Sequence, residues 1–170
     1  MRTGGTFLGA VCGLLVFFAM PPAGAAQTLA DLQSRFDHET NGVHKAKLIQ
    51  KLGDAQMDEA RRAGKAGDFS AVGVTLEKYR DNVRDAVAAL KKQHPDAEKQ
   101  SNGYRQLEMH VRKGIREIDD ALLASPEGFK PPLQLVRQDL IGLDAELLKM
   151  LFPRRPLEQR GATPPAEKQP

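Results

Sequence analysis

Between Met57 and Leu90 the chain carries a helix stop followed at once by a helix start. Gly67 suits the left-handed residue that closes one helix, because it has no Cβ to clash there, and Asp68 suits the N-cap whose carboxylate accepts orphan amide hydrogens of the next. Beyond this turn apolar residues recur at Phe69, Val72, Leu76, Tyr79, Val83, Val87 and Leu90. Steps of three and four residues place them all on one side of a helix, whereas a half-buried strand would alternate. Two long helices that reverse within a few residues must bury these faces against each other and against further helices. The expected fold class is therefore all-α, an antiparallel bundle of about four long amphipathic helices with a central helical hairpin.

The same periodicity places the other helices. Thr28 with Asp31 makes a helix start, and Leu29, Leu32 and Phe36 follow at helical spacing. A glycine inside a helix costs only ~1 kcal/mol relative to alanine, so Asn41-Gly42 is expected to kink or break one long first helix ending near Ala66. Its inward face, Val43, Leu48, Ile49, Leu52, Ala60 and Ala63, grows smaller toward the turn. Close packing against Phe69 and Val72 is expected there. The helix after the turn should stop at His94-Pro95, because proline pushes its predecessor out of helical geometry. Tyr104, Leu107, Val111, Ile115, Ile118 and Leu122 mark the next helix, and Leu133, Val136, Leu140, Leu143, Leu147 and Leu151 the last, with Pro132 suited to its first position. Asp58 with Arg62 and Glu108 with Arg112 make i,i+4 pairs that mark solvated faces and contribute ~0.2–0.5 kcal/mol each. Helices of about 25 residues, roughly 37 Å at 1.5 Å per residue, are too long for tetratricopeptide repeats of about 34 residues.

The two ends of the chain read differently from its middle. Arg2 precedes an uncharged run from Phe7 to Met20, followed by Pro21-Pro22 and small residues to Ala26. That order describes a cleavable signal peptide over residues 1–26. Its 14 apolar residues fall short of the roughly 20 that span a bilayer, so no membrane span is expected after cleavage and the localisation is periplasmic or secreted. The only cysteine, Cys12, lies within the apolar run, so the mature chain has no disulfide and no thiolate. Residues 27–152 form the expected bundle domain. Residues 153–170, rich in proline and charge, form an expected disordered basic tail in which Pro153 and Pro156 spell a proline-rich motif.

Charge argues against nucleic acid as a partner. The formal net charge is +3, yet residues 26–152 hold 20 Lys or Arg and 20 Asp or Glu, so the excess comes from Arg2 and the tail. A nucleic-acid binder carries its basic excess on the folded surface. With an aromatic share of only 5% and no tryptophan, the core must be built from Leu, Val, Ile and Ala, which suits helix packing.

No constellation predicts catalysis. His38, His44, His94 and His110 are expected to be solvated; His38 and His44 are six positions apart and do not converge on one helix face. Asp37, His38, Glu39 and His44 form the one histidine–acid cluster that a bundle could complete into a metal site. Asp119-Asp120 flank the apolar seam of their helix without a sign of the enclosed pocket that acid–base chemistry requires. Phosphate loops, zinc motifs and nucleophile elbows do not occur. The sequence thus predicts no catalytic residue, no cofactor and no metal.

Four segments carry a resemblance: Phe36-Asp37-His38-Glu39-Thr40, Lys45-Ala46-Lys47-Leu48, Lys51-Leu52-Gly53-Asp54-Ala55-Gln56 and Leu151-Phe152-Pro153-Arg154-Arg155-Pro156. They resemble a group of uncharacterised secreted bacterial helical proteins. That resemblance implies an exported bacterial helical domain, with no activity, cofactor or residue role attached. The expected function is a non-catalytic extracytoplasmic protein-interaction or structural module with a protein partner. The alternative is a periplasmic bundle that binds a small ligand or metal, in a cavity between helices or at the Asp37 to His44 region.

Overall fold

The computed structural model describes residues 28–153. The expected signal peptide, and the expected tail beyond Pro153, lie outside the described residues. Within them the fold is all-helical: α1 (Leu29–His38), α2 (Gly42–Lys65), α3 (Phe69–Gln93), α4 (Ser101–Ala124), a single 3-10 turn (Glu127–Phe129) and α5 (Lys130–Leu151). Five α-helices pack together around one apolar core.

The turn at Gly67 forms as its residues predict. Gly67 has φ +78°. The Asp68 N–H donates to the Ala63 carbonyl at 2.9 Å and the Gly67 N–H to that of Gly64 at 3.0 Å, which satisfies the last carbonyls of α2 in a Schellman arrangement. The Asp68 carboxylate then accepts the Ala71 N–H at 3.0 Å and starts α3. Val72, Leu76, Tyr79, Val83, Val87 and Leu90 are all buried, so the spacing located the seam; Phe69, at its edge, is only half-buried.

The long first helix is two helices. Asn41, expected at a kink or break, accepts the His44 N–H on its side chain at 3.0 Å and is the N-cap of α2. The Gly42 N–H donates to the Gln93 side chain at 2.8 Å. A Cβ at position 42 would lie 2.8 Å from the Ala89 carbonyl oxygen. Gly42 is thus a contact point between α2 and α3, a tertiary role that helix propensity does not reveal. Replacing Asn41 with alanine should remove about 0.5–2 kcal/mol, and Asn41→Asp should restore most of it, because aspartate caps comparably; urea melts read both.

The buried face of α2 comprises Ala46, Ile49, Leu52, Gly53, Gln56, Met57 and Ala60, while the expected Val43, Leu48 and Ala63 are only part-buried. Gly53 lies against Tyr79 and Gly64 against Val72. α1 closes over this pair through fully buried Phe36 and through the side chains of Gln33 and Asn82, which exchange hydrogen bonds of 2.9 and 3.1 Å. Lys45 places its ammonium 4.6 Å from the Phe36 ring centroid, an attraction to the ring face.

Ion pairs link the helices and fix their directions. Asp54 meets Lys113 and Arg61 meets Glu117, so α2 and α4 run the same way. Arg84 meets Asp139 and Lys91 meets Glu146, so α3 and α5 also run together. α3 therefore ends at the end of the molecule where α4 begins, and residues 94–100 join them there. Two expected surface pairs are corrected. Asp58 pairs with Arg61, leaving Arg62 to Glu59. Glu108 is buried, not solvated; its partner Arg112 sits 2.5 Å away and also reaches Asp144 on α5 at 3.4 Å. α5 begins at Lys130, ahead of the expected Pro132, and its first turn holds Pro131 and Pro132. Their missing N–H groups would have had no intrahelical acceptor there.

Candidate functional site

The acid–histidine cluster predicted between Asp37 and His44 is consumed by local structure. Asp37 accepts the Gln33 amide at 2.7 Å, and the His38 Nδ1 meets the Ser34 carbonyl at 2.7 Å. Glu39 accepts the Asn41 N–H at 2.7 Å and stands 3.7 Å from His44. These contacts hold the break between α1 and α2. Among the described residues, no three His, Cys, Asp or Glu side chains are placed to share a metal ion. Asp119 pairs with Arg137 at 2.5 Å, so the two adjacent carboxylates have separate fates.

Asp120 belongs to a site that the fold itself builds. At the end of the molecule where α2 turns into α3, the last turns of α2 and α4 and the first turns of α3 enclose a half-open cavity of about 390 Å³. Met57, Ala60, Val72, Leu76 and Ala121 supply apolar wall, and Arg61, Lys65, Glu117 and Asp120 supply its charged lining. Close packing was expected here because α2 tapers to small side chains. The opposite occurs, because α4 tapers at the same level: Ala121 and Ala124 face the gap left by Ala60 and Gly64. Phe69 lines the cavity and leans on Phe129, ring centroids 5.7 Å apart, without filling it. Arg61 bridges Asp58 and Glu117, with Glu117 at 2.6 Å. Ser125, the one hydroxyl in the lining, donates to the Ala121 carbonyl at 2.7 Å.

Beside the cavity Phe129, in ring contact with Phe69, is 42% exposed. The sequence signal for the site was the coincidence of small residues near the ends of two helices. Only knowing that α2 and α4 lie side by side in the same direction turns it into a cavity.

The second departure from the sequence reading is His110, expected to be solvated and found only 7% exposed. It packs edge-on to Tyr79, ring centroids 5.7 Å apart, beneath the backbone of Gly53. The Tyr79 hydroxyl donates to the His110 carbonyl at 3.2 Å. The imidazole Nε2 is buried with no hydrogen-bond partner among the described residues, and Nδ1 lies 4.0 Å from the Asp54 carboxylate that Lys113 also holds. Burial pushes the imidazole below its ordinary pKa of 6.5; Asp54 pulls it upward and Lys113 downward by lesser amounts.

A depressed folded value means that the unfolded chain binds the proton first. The contribution of neutral His110 to stability is fully present above pH 6.5 and is lost as the pH falls below that value through the lower folded one. Asp31 and Asp96, held below the ordinary carboxylate value of 3.8 by hydrogen bonds from Thr28 and Lys99, titrate outside this window. The urea midpoint should therefore fall between pH 7 and pH 5 by more in the wild type than in His110→Leu. Equal falls would remove His110 as the source.

Comparison with protein-family models, with curated proteins and with solved structures finds no match to this chain.

Proposed function

We propose that this chain is a non-catalytic helical interaction module working outside the cytoplasm, and that the cavity at the α2–α3 turn takes an apolar anchor from a protein partner. In this reading α2–α3 and α4–α5 are two antiparallel hairpins laid side by side as the bundle of four long helices, and α1 seals one end. The observation that carries it is an apolar-walled cavity whose apolar lining continues outward from Phe69 to Phe129. Protein interfaces concentrate binding energy where an anchor side chain fills such a pocket and neighbouring contacts exclude water. Nothing lining it is arranged for chemistry: Ser125 is engaged with the backbone, Arg61 and Glu117 neutralise each other, and no histidine enters. Export, and kinship with secreted bacterial helical proteins, are supported by the start of the chain and by the segments named above.

A second reading, a small apolar ligand in the same cavity, is favoured by its size, which falls within the ~300–1,000 Å³ of small-molecule sites. Gly64 supplies a clean test. A Cβ there would meet only Val72, at an ordinary 3.7 Å. Gly64→Ala should therefore stabilise the chain by up to about 0.5 kcal/mol, less than the gain at a helix-interior glycine because Gly64 lies in the last turn of α2. Gly64→Leu should occupy the cavity without unfolding the helix. Crosslinked capture of a defined partner from the envelope fraction should be lost with Gly64→Leu and with Phe129→Ser but kept with Gly64→Ala. If Phe129→Ser binds normally while Gly64→Leu displaces a bound small molecule seen by native mass spectrometry, the ligand reading replaces the protein one.

A further inference from the structure

We infer that the seam between α2 and α4 is an acid-sensitive latch: taking a proton drives the His110 ring out from beneath Gly53, and α2 draws away from α4 there while the bundle stays folded. The geometry of the ring carries this. Its Nε2 is buried without a hydrogen-bond partner among the described residues, and a Cβ at position 53 would collide with it. A neutral imidazole can leave one nitrogen bare, but an imidazolium carries N–H on both. The second N–H has neither an acceptor nor room, and a buried charge left unpaired is strongly unfavourable. The ring therefore fits its place only without the added proton.

The groups around the ring do not rescue the charged form. From α2 Asp54 faces it at 4.0 Å, from α3 Tyr79 stands edge-on with its hydroxyl held neutral by burial, and from α4 itself Lys113 reaches the same Asp54 carboxylate. α5 meets α4 on its other side, where Arg112 pairs with Asp144, and α1 does not pack against α4. Asp54 alone favours the imidazolium; it is half-exposed and shared with Lys113, so burial prevails. What joins α2 to α4 at this level is the Gly53 contact and that one exposed ion pair. α2 stays tied to α3 through the Gly67 turn and Gly42, and α4 to α5 through Arg112 and Arg137. The Tyr79 hydroxyl holds the His110 backbone and not its ring, so the ring can leave without undoing that bond.

The test uses the mature full-length protein with spin labels on Lys51→Cys and Arg116→Cys, at exposed positions of α2 and α4. Double electron–electron resonance should show one distance at pH 7 and, at pH 5, a second and longer one, with helical circular dichroism unchanged. His110→Gln and His110→Leu should hold the short distance at both values. The neighbouring charges give a readout that a merely structural contact would not move. Asp54→Asn and Lys113→Met delete the same ion pair but leave opposite charges beside the ring. In the closed state Asp54 draws the proton on and Lys113 pushes it off, so Asp54→Asn should enlarge the opened fraction and Lys113→Met shrink it. At pH 5 the two fractions should differ about threefold or more. An unchanged distance at pH 5, an equal rise in both His110 variants, or charge variants that move together would each overturn the inference. Loss of helical signal in step with the opening would overturn it too, since acid would then be unfolding the whole bundle.

Discussion

Leu76→Ala is expected to lower the unfolding free energy by about 2–5 kcal/mol, while Lys78→Ala, two residues along the same helix, stays within about ±0.5 kcal/mol. Leu76 is 1% exposed in the middle of the α3 seam, whereas Lys78 faces solvent. Truncation removes transfer energy and leaves a void that close-packed neighbours refill only partly. Because Leu76 also forms cavity wall, the new void opens into space that already exists. That favours the lower half of the range, since water can enter part of it. Even so, the loss is a large share of the ~5–15 kcal/mol that holds a domain together. Urea melts decide it. Equal midpoints for the two variants would mean that the seam through Leu76 is not core.

Gly114→Ala should destabilise by about 1–3 kcal/mol, the reverse of what helix propensity alone predicts. An exposed glycine-to-alanine change inside a helix would gain ~1 kcal/mol. Here a Cβ would fall 2.6 Å from Cε1 and 2.8 Å from Cζ of Tyr79. Tyr79 is fully buried, and its hydroxyl is spent on the His110 carbonyl. Making room means overpacking, at ~1–3 kcal/mol, and giving up a hydrogen bond worth ~0.5–1.5 kcal/mol. Together these exceed the propensity gain. In a Tyr79→Leu background the obstruction is gone, so Gly114→Ala should become neutral or stabilising, and the coupling in the double-mutant cycle should exceed ~1 kcal/mol. A stabilising Gly114→Ala in the otherwise unchanged chain would show that α3 and α4 are not in contact at this level.

These two substitutions differ in how visible they are beforehand. Leu76 stands in an apolar repeat that announces its own face, because helix geometry relates residues three and four apart without reference to anything else. Gly114 and Gly53 are silent in such a repeat: each reads as a weak helix position, and only the ring of Tyr79 arriving from α3, joined at Gly53 by that of His110 from α4, explains why it lacks a side chain. His110 misled for a related reason. A histidine among charged residues reads as surface, but burial of its ring depends on the close approach of α2 through Gly53. Glu108, expected to be solvated, is covered in part because Arg112 is shared with Asp144 of a helix some 30 residues later.

By itself the sequence determined the all-helical class, the Gly67-Asp68 turn, the core face of α3 and the stop before Pro95, since each depends on backbone conformation or periodicity within a few neighbouring residues. The tertiary structure alone decided between a kink and a break at Asn41 and Gly42, where the backbone of α3 passes too close for a Cβ. It alone decided that α2 and α4 run side by side in one direction, so that two small-residue tapers meet. A taper in one helix is filled or left open according to what stands opposite, and the pairing of distant helices is set by the whole packed core rather than by local spacing. The cavity is therefore a property of the fold, although every residue that lines it was in plain view.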